Sequence, residues 1–138
     1  YIGLFRQGSD EATHKLVRLM DSDGYVDETV LAMDIEGSAF VADGGTMAWI
    51  EPTGTSASSV LTMDVAATGS EPATVLEESE GLEVFNLVVD DLLNAITLTA
   101  WSQSEQVSYV GRIDLNTLAL TLFAADGVDA DSEIEVYR

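Results

Sequence analysis

Short apolar runs alternate with clusters of polar residues along the whole chain. The runs are rich in β-branched and aromatic residues and are bounded by Gly, Asp, Ser and Asn, which is typical of strands. Because they follow one another closely and lack helical periodicity, they predict an all-β fold. The predicted strands are Tyr1–Arg6, Lys15–Met20, Glu28–Met33, Ser38–Ala42, Thr46–Glu51, Val60–Val65, Ala73–Glu77, Glu83–Val89, Ala95–Trp101, Gln106–Asp114, Ala119–Ala124 and Glu133–Tyr137.

One segment also fits a helix. "SDEATHKLVRLM" begins with Ser9 as a possible N-cap, carries acids in its first turn, and places Leu16, Leu19 and Met20 at helical spacing. A comparison of the chain with itself favours the strand interpretation instead.

That comparison reveals three similar units, at about residues 1–46, 47–95 and 96–138. In each unit a strand near an aromatic residue (Phe5, Trp49 or Trp101) leads into a polar loop. A second strand then ends in an apolar residue and an aspartate, at Asp21, Asp64 or Asp114, and a third strand follows. The segments "EGSAFVADG" and "EGLEVFNLVVDD" supply one further strand each, and "DSEIEVYR" resembles the start of another. Four strands at a period of forty to fifty residues are typical of β-propeller blades.

The motifs themselves resemble a known family. "ADGGTMAWI" followed by "SVLTMDVAATGSEPATVLEE", and also "HKLVRLMDSDGYVDETVL", are similar to the WD40-like (PD40-type) repeats of TolB-like β-propellers. The third unit departs from the pattern, because "VVDDLLNAITLTAW" has Asp90-Asp91 in place of an Asp-Gly turn. The resemblance implies four-stranded antiparallel repeats resembling three propeller blades; a β-sandwich or barrel is the alternative.

Three blades are too few to close a ring, since propellers use four to eight. We therefore expect a single all-β repeat region, 1–138, that belongs to a longer polypeptide or pairs with partner proteins or other copies of the chain. Open sheet edges would otherwise invite aggregation.

The composition of the chain limits which binding partners and which surroundings suit it. The chain has 25 acidic and 5 basic residues, a formal charge of −20, 46% hydrophobic residues and no cysteine. Such a charge argues against binding nucleic acid or anionic lipid. It indicates a high-salt (halophilic) habitat or an extracytoplasmic location that is extracellular, periplasmic or at the cell surface. The alternative is that the chain carries divalent cations that neutralise part of its charge. No apolar run is long enough to span a membrane.

Two acidic segments are candidate calcium sites, because alternating carboxylates suit a hard cation. "DSDGYVDE" contains Asp21, Asp23 and Asp27 around Gly24, but the first and last positions of a calcium loop would be Leu19 and Val30. The alternative is a hairpin turn with solvated acids. The second segment, "ADGVDADSE", contains Asp126, Asp129, Asp131 and Glu133. Its alternative interpretation is a run of solvated charges.

Catalytic motifs are missing from the sequence. There is no Gly-x-Ser-x-Gly elbow and no phosphate-binding glycine loop, and the single histidine, His14, falls in a predicted loop. Four aromatic residues could line a pocket, although core packing is the commoner role of strand aromatics: Phe40, Trp49, Trp101 and Tyr109.

The sequence thus predicts a non-enzymatic scaffold or protein-interaction module with an acidic surface, in keeping with TolB-like propellers, which recognise other envelope proteins. One alternative is the gating part of a peptidase-type hydrolase whose catalytic residues lie outside this chain. The other is a structural surface or filament subunit that shares strands between copies.

Overall fold

The computed structural model describes the backbone of residues 2–6, 13–22, 25–36, 40–43, 45–52, 56–67 and 69–135, with side chains described within 45–51, 56–67 and 69–135. Over these ranges the chain is all-β, as predicted. The described elements are eleven strands and one 3-10 turn at Glu78–Glu80.

The strands lie close to their predicted positions. They are β1 (Ile2–Arg6), β2 (Thr13–Ser22), β3 (Tyr25–Glu36), β4 (Phe40–Asp43), β5 (Thr46–Pro52), β6 (Ser58–Asp64), β7 (Ala73–Leu76), β8 (Leu82–Asp90), β9 (Ala95–Ser102), β10 (Val107–Asp114) and β11 (Leu120–Ala124).

The helix alternative is wrong, because β2 occupies most of that segment. The last predicted strand is not formed over residues 133–135, and 136–138 lie outside the described residues.

The strands pair into three antiparallel sheets in which chain neighbours are sheet neighbours. The first sheet is β1-β2-β3, the second is β4-β5-β6-β7 and the third is β8-β9-β10-β11. None of the three sheets closes into a barrel over the described strands. Each four-stranded sheet begins one strand before the corresponding predicted unit, because β4 and β8 pair forward with β5 and β9.

The main apolar core lies between the second and third sheets. From the second sheet it takes Ala48, Ile50, Val60 and Leu76, and from the third Leu82, Val84, Leu87, Val89, Ile96, Leu98, Ala100 and Ile113. Alternate residues of a strand point to one face, so these side chains form two opposed apolar surfaces. Full burial of each large aliphatic side chain stabilises the fold by about 1.5–3 kcal/mol.

The second sheet is buried on both faces. Met47, Trp49 and Met63 alternate with the core residues and are themselves buried, and β5 also contacts β3 of the first sheet. The second sheet therefore lies between the first and the third, which explains why "MAWI" is continuously apolar.

The pairing registers correct one predicted equivalence. Trp49 pairs with Leu61, which lies three residues before Asp64. In the third sheet the residue three before Asp114 is Gly111, and it pairs with Leu98. Leu98, and not Trp101, therefore occupies the position of Trp49. Trp101 lies further along its strand and is half-buried.

Candidate interaction surface

The third sheet has a second face that points away from the core. Cross-strand pairs place Thr97, Arg112 and Thr121 in one row. A second row contains Thr99, Val110 and Phe123. We call these six residues the outer face. Their strand neighbours Ile96, Leu98 and Ile113 point into the core.

This outer face corresponds to a face that is buried in the second sheet. Val60 lies four residues before Asp64, and Val110 lies four residues before Asp114, so the two valines occupy equivalent positions. Their cross-strand partners, Ile50 and Thr99, therefore also correspond. In the second sheet, Val60 and Ile50 pack against the third sheet. The outer face is thus the place where a further sheet would stack if the arrangement continued.

The outer face is only partly covered, and two of its side chains differ sharply in exposed fraction. The Phe123 side chain is 62% exposed, which is high for a phenylalanine. By contrast, Thr99 is 3% exposed, and its Oγ1 makes no hydrogen bond to any described residue. Thr99 is thus already covered by the chain itself, and the exposed apolar surface of the outer face is that of Phe123.

A shallow cavity of about 390 Å³ opens at one end of the outer face. It is lined by Arg112, Asp114, Ala119, Thr121 and Phe123. Arg112 is exposed and is one of the chain's five basic residues. The cavity therefore joins a rare positive charge to an exposed aromatic ring, two groups that are enriched in protein interfaces.

The segment that follows β11 crosses the sheet on this side. Ser108 Oγ donates to the Val128 carbonyl oxygen at 2.8 Å. Further along, Asn86 Nδ2 donates to the Ser132 carbonyl oxygen at 2.7 Å and more weakly to that of Ala130 at 3.4 Å. Since Asn86 lies on β8, the segment runs from the β11 edge of the sheet to the opposite edge.

The crossing from the second sheet to the third is anchored by an equivalent residue. Ser58, six residues before Asp64, accepts a hydrogen bond on Oγ from the Val84 backbone N–H at 3.1 Å. Ser108 stands six residues before Asp114 and holds the later crossing. Sequence reasoning missed both serines; their equal offset from the two aspartates was the signal that could have found them.

Repeated aspartate turns fix the ends of the strands. Asp64 Oδ1 accepts from the N–H groups of Ala66 and Ala67 at 2.9 and 3.1 Å. Asp114 Oδ1 accepts from Asn116 and Thr117 at 2.8 and 3.2 Å. Asp90 makes the same pair of bonds to residues 92 and 93. A short polar side chain that caps its own turn in this way stabilises the turn locally.

The hydrogen bonds at Asp114 also affect its titration. The donors are first the Asn116 backbone N–H and then that of Thr117, and they hold the pKa of Asp114 below its ordinary value. Burial opposes this shift, and the nearby Arg112 charge adds to it. Asp114 at the rim of the cavity is therefore charged at neutral pH.

A second repeated contact joins neighbouring turns. The Val65 N–H donates to the Gly45 carbonyl oxygen at 2.8 Å, and the Leu115 N–H donates to that of Asn94 at 2.9 Å. Asn94 adopts a positive φ of 46°, a conformation that asparagine tolerates better than most residues. The two turns thus share this backbone hydrogen bond although their sequences differ.

The structure does not assemble the predicted calcium ligands of the later acidic segment. Among the described residues, no three acidic or histidine side chains converge on a point that could hold a metal ion. Asp129 instead forms a local turn, in which its Oδ1 accepts from the Asp131 N–H and from Ser132 Oγ, both at 3.1 Å. Asp126 and Glu133 flank this turn in the sequence, and calcium binding by this segment stays a prediction.

The earlier acidic segment is a hairpin, as its alternative interpretation predicts. Ser22 pairs with Tyr25, and Asp21 and Asp27 lie in β2 and β3 beside Val26 and Met20 respectively. Asp23 lies outside the described residues, so calcium binding at this hairpin stays a prediction. His14 belongs to β2, not to a loop.

The predicted pocket aromatics lie on different strands and differ in exposure. Trp49 is buried between sheets and Trp101 is half-buried. The Tyr109 hydroxyl donates to Glu105 Oε2 at 2.7 Å, and this hydrogen bond raises the pKa of Tyr109. Phe40 lies in β4.

No protein-family model, curated protein or solved structure matches this chain. Over the described ranges, no helix has the length and apolar character needed to cross a membrane.

Proposed function

We propose that this chain is a non-enzymatic, β-propeller-like scaffold that binds proteins by stacking a further β-sheet on its outer face. The arrangement of described strands supports this proposal. Successive antiparallel sheets follow the chain order, the second sheet is buried on both sides, and Ser58 and Ser108 anchor successive crossings at equivalent positions.

The observation that carries the proposal is the equivalence of two faces. The second sheet buries Ile50 and Val60 against the third, while the corresponding Thr99 and Val110 of the third sheet meet no further sheet among the described strands. Exposed Phe123 and the unsatisfied Thr99 hydroxyl lie on this same face. Phe123 would gain from a partner, because its exposed ring would be buried.

The charge of the chain sets the conditions for such binding. A net charge of −20 repels acidic partners and other copies of the chain at low salt. At about 1 M salt the screening length falls to roughly 3 Å, so apolar contact can dominate. We therefore place the protein in a high-salt or extracytoplasmic setting, with partners that are basic or that meet it in concentrated salt.

An isolated chain with an open face should associate with other copies when its charge is screened. Light scattering should give the 14.7 kDa monomer mass at low salt and a larger mass at molar salt. Phe123→Asp should restore the monomer mass at molar salt, and because the residue is exposed the substitution should leave the fold intact. Gln103→Asp adds the same charge in an exposed turn and should behave like the unmodified chain. A monomer in every salt, or equal loss of mass in both variants, would contradict the proposal.

A further inference from the structure

A small groove opens between the second and third sheets at their β7 and β11 edges. These two strands are the edges of their sheets among the described strands, and the groove has a volume of about 200 Å³. It reaches the apolar core, because Leu76 is buried in the core and both Val75 and Leu120 pack against it. We call it the edge groove, and its lining includes Val75, Leu76, Glu77, Glu80, Leu118 and Leu120.

One side of the edge groove is formed by a leucine in an unfavourable backbone conformation. Leu118 has a φ of 57°, a left-handed conformation in which the β-carbon of an ordinary residue is crowded. This conformation closes the turn: the Leu118 N–H donates to the Asp114 carbonyl oxygen at 2.7 Å, and the Asp114 N–H donates to that of Ala119 at 3.0 Å. In other turns Gly69 and Gly127 supply a positive φ, of 77° and 80°. The turn alone would therefore favour glycine over leucine.

Burial does not explain the leucine either. The Leu118 side chain is 52% exposed, so about half of its apolar surface gains nothing from the fold. Residues that are held in a strained conformation cluster at functional sites. Because Leu118 lines the edge groove, an apolar group that enters the groove would cover this exposed surface.

The charge around the edge groove determines the kind of partner that fits. Glu77 and Glu80 are exposed and line it. A second copy of the chain is poorly suited, because between positions 19 and 137 its only basic residue is Arg112, which lies in β10. Lysine or arginine side chains of another protein would instead be attracted to the two glutamates.

We propose that the edge groove binds a short segment of a separate protein in which a large aliphatic side chain lies next to lysine or arginine. The aliphatic side chain contacts Leu118 and Leu120, and the basic groups pair with Glu77 and Glu80. An engineered apolar cavity of about 150 Å³ holds a benzene molecule, so the edge groove is large enough for one such side chain. This site goes beyond the proposed function, because it lies on the core side of β11, whereas Phe123 points to the outer face.

Peptide binding tests the apolar part of the site. The probes are two labelled peptides of equal length and charge, one of alternating lysine and leucine and one of alternating lysine and serine, followed by fluorescence anisotropy. At about 0.15 M salt, the leucine peptide should bind the unmodified chain about tenfold more tightly than the serine peptide. Leu118→Asn should remove this preference, because asparagine tolerates the left-handed conformation but presents little apolar surface. Leu92→Asn is the matched control, since Leu92 is a 75% exposed leucine in another turn, and it should keep the preference.

The stability of the variants separates a binding role from a structural one. Leu118→Gly and Leu118→Asn should have urea midpoints equal to or above that of the unmodified chain, because both relieve the strain at positive φ. Preserved stability with a lost peptide preference supports the site. A lower midpoint in both variants shows that Leu118 serves the fold and overturns the proposal, as does a preference that survives in both.

A second set of measurements tests the charge of the partner. Glu80→Gln should weaken binding of the lysine–leucine peptide, whereas Glu83→Gln removes the same charge from an exposed position outside the groove and should change it little. Equal effects of the two variants, or equally tight binding of a peptide of alternating glutamate and leucine, overturn the choice of a basic partner.

Light scattering at molar salt separates this site from the outer face. If Leu118→Asn lowers the mass at molar salt, a second copy covers the edge groove and the proposal is overturned. If the mass depends on Phe123 and the peptide preference is absent, only the edge groove fails. If the chain is monomeric in every salt while the preference holds, only the proposed function fails.

Discussion

Gly111 offers the sharpest test of how side chains pack on the third sheet. It is a buried strand residue with ordinary backbone geometry, and a β-carbon added there would lie 2.8 Å from Leu98 Cδ1 and 3.0 Å from Leu122 Cδ2. Both distances are far shorter than normal carbon–carbon contacts. Leu98 is fully buried, so it cannot swing into solvent. We therefore predict that Gly111→Ala destabilises the protein.

The size of the effect follows from two opposing contributions. Forcing an extra methyl into a packed core costs about 1–3 kcal/mol. Replacing a strand glycine by alanine returns about 0.5–1 kcal/mol, because the unfolded chain loses freedom. The difference between the midpoints of these two ranges gives a net loss of roughly 1 kcal/mol in the free energy of unfolding. With a urea dependence of about 1–3 kcal/mol per molar, the unfolding midpoint should fall by several tenths of a molar.

Urea unfolding at constant molar salt, followed by circular dichroism, measures this difference. Leu98→Val removes the nearest contacting atom, so the cost of Gly111→Ala should fall by about 1 kcal/mol in that background, as a double-mutant cycle would report. A Gly111→Ala protein as stable as the unmodified chain would refute the packing described here. So would an equal cost in both backgrounds, because the strain would then come from elsewhere.

Three further outcomes follow from charge and turn geometry. The thermal midpoint should rise as salt is added, because screening relieves the −20 charge; an unchanged midpoint would remove the habitat inference. The pKa of Asp114 is lowered in the folded protein. Its charged form therefore stabilises the fold at pH values above the unfolded pKa of about 3.9, and this stabilisation is lost as pH falls through the folded pKa. The stability difference between the unmodified chain and Asp114→Asn should accordingly shrink in acid, and a pH-independent difference would count against the turn. Calcium binding by the segment around Asp129 stays a prediction that titration can test: a saturable heat that Asp129→Asn/Asp131→Asn abolishes would support the site, and identical traces for the two proteins would dispose of it.

Local patterns were enough to predict most of the strands. Short apolar runs with β-branched and aromatic residues placed β5, β9 and β10 within a residue or two of their observed ends. The repeated aspartates were also visible in advance. Asp64 and Asp114 prove to make the same turn, because an aspartate at a strand end can accept hydrogen bonds from the N–H groups two and three residues later regardless of the wider fold.

The grouping of strands into sheets could not be read from the same patterns. A strand between two turns can pair with either neighbour, and the choice depends on which faces become buried. The predicted units therefore began at β5 and β9, one strand late, and Trp101 was matched to Trp49 by residue type although the register matches Leu98. The anchoring serines were missed for a related reason. A hydrogen bond between Ser58 and Val84 joins residues of different sheets and leaves no local signal.

The chemistry of the two equivalent faces suggests why the last one would serve a separable partner. Where the second sheet permanently meets the third, the face carries Ile50 and Val60; on the outer face, Thr99 replaces the isoleucine and Arg112 enters the neighbouring row. Interfaces between separate proteins are more polar than cores and are enriched in arginine and aromatic residues. A face made only of aliphatic residues would also expose each free copy to indiscriminate aggregation. With threonine, arginine and one exposed phenylalanine, the outer face should limit aggregation of the free chain. It still leaves apolar surface for the proposed contact once salt has screened the acidic repulsion.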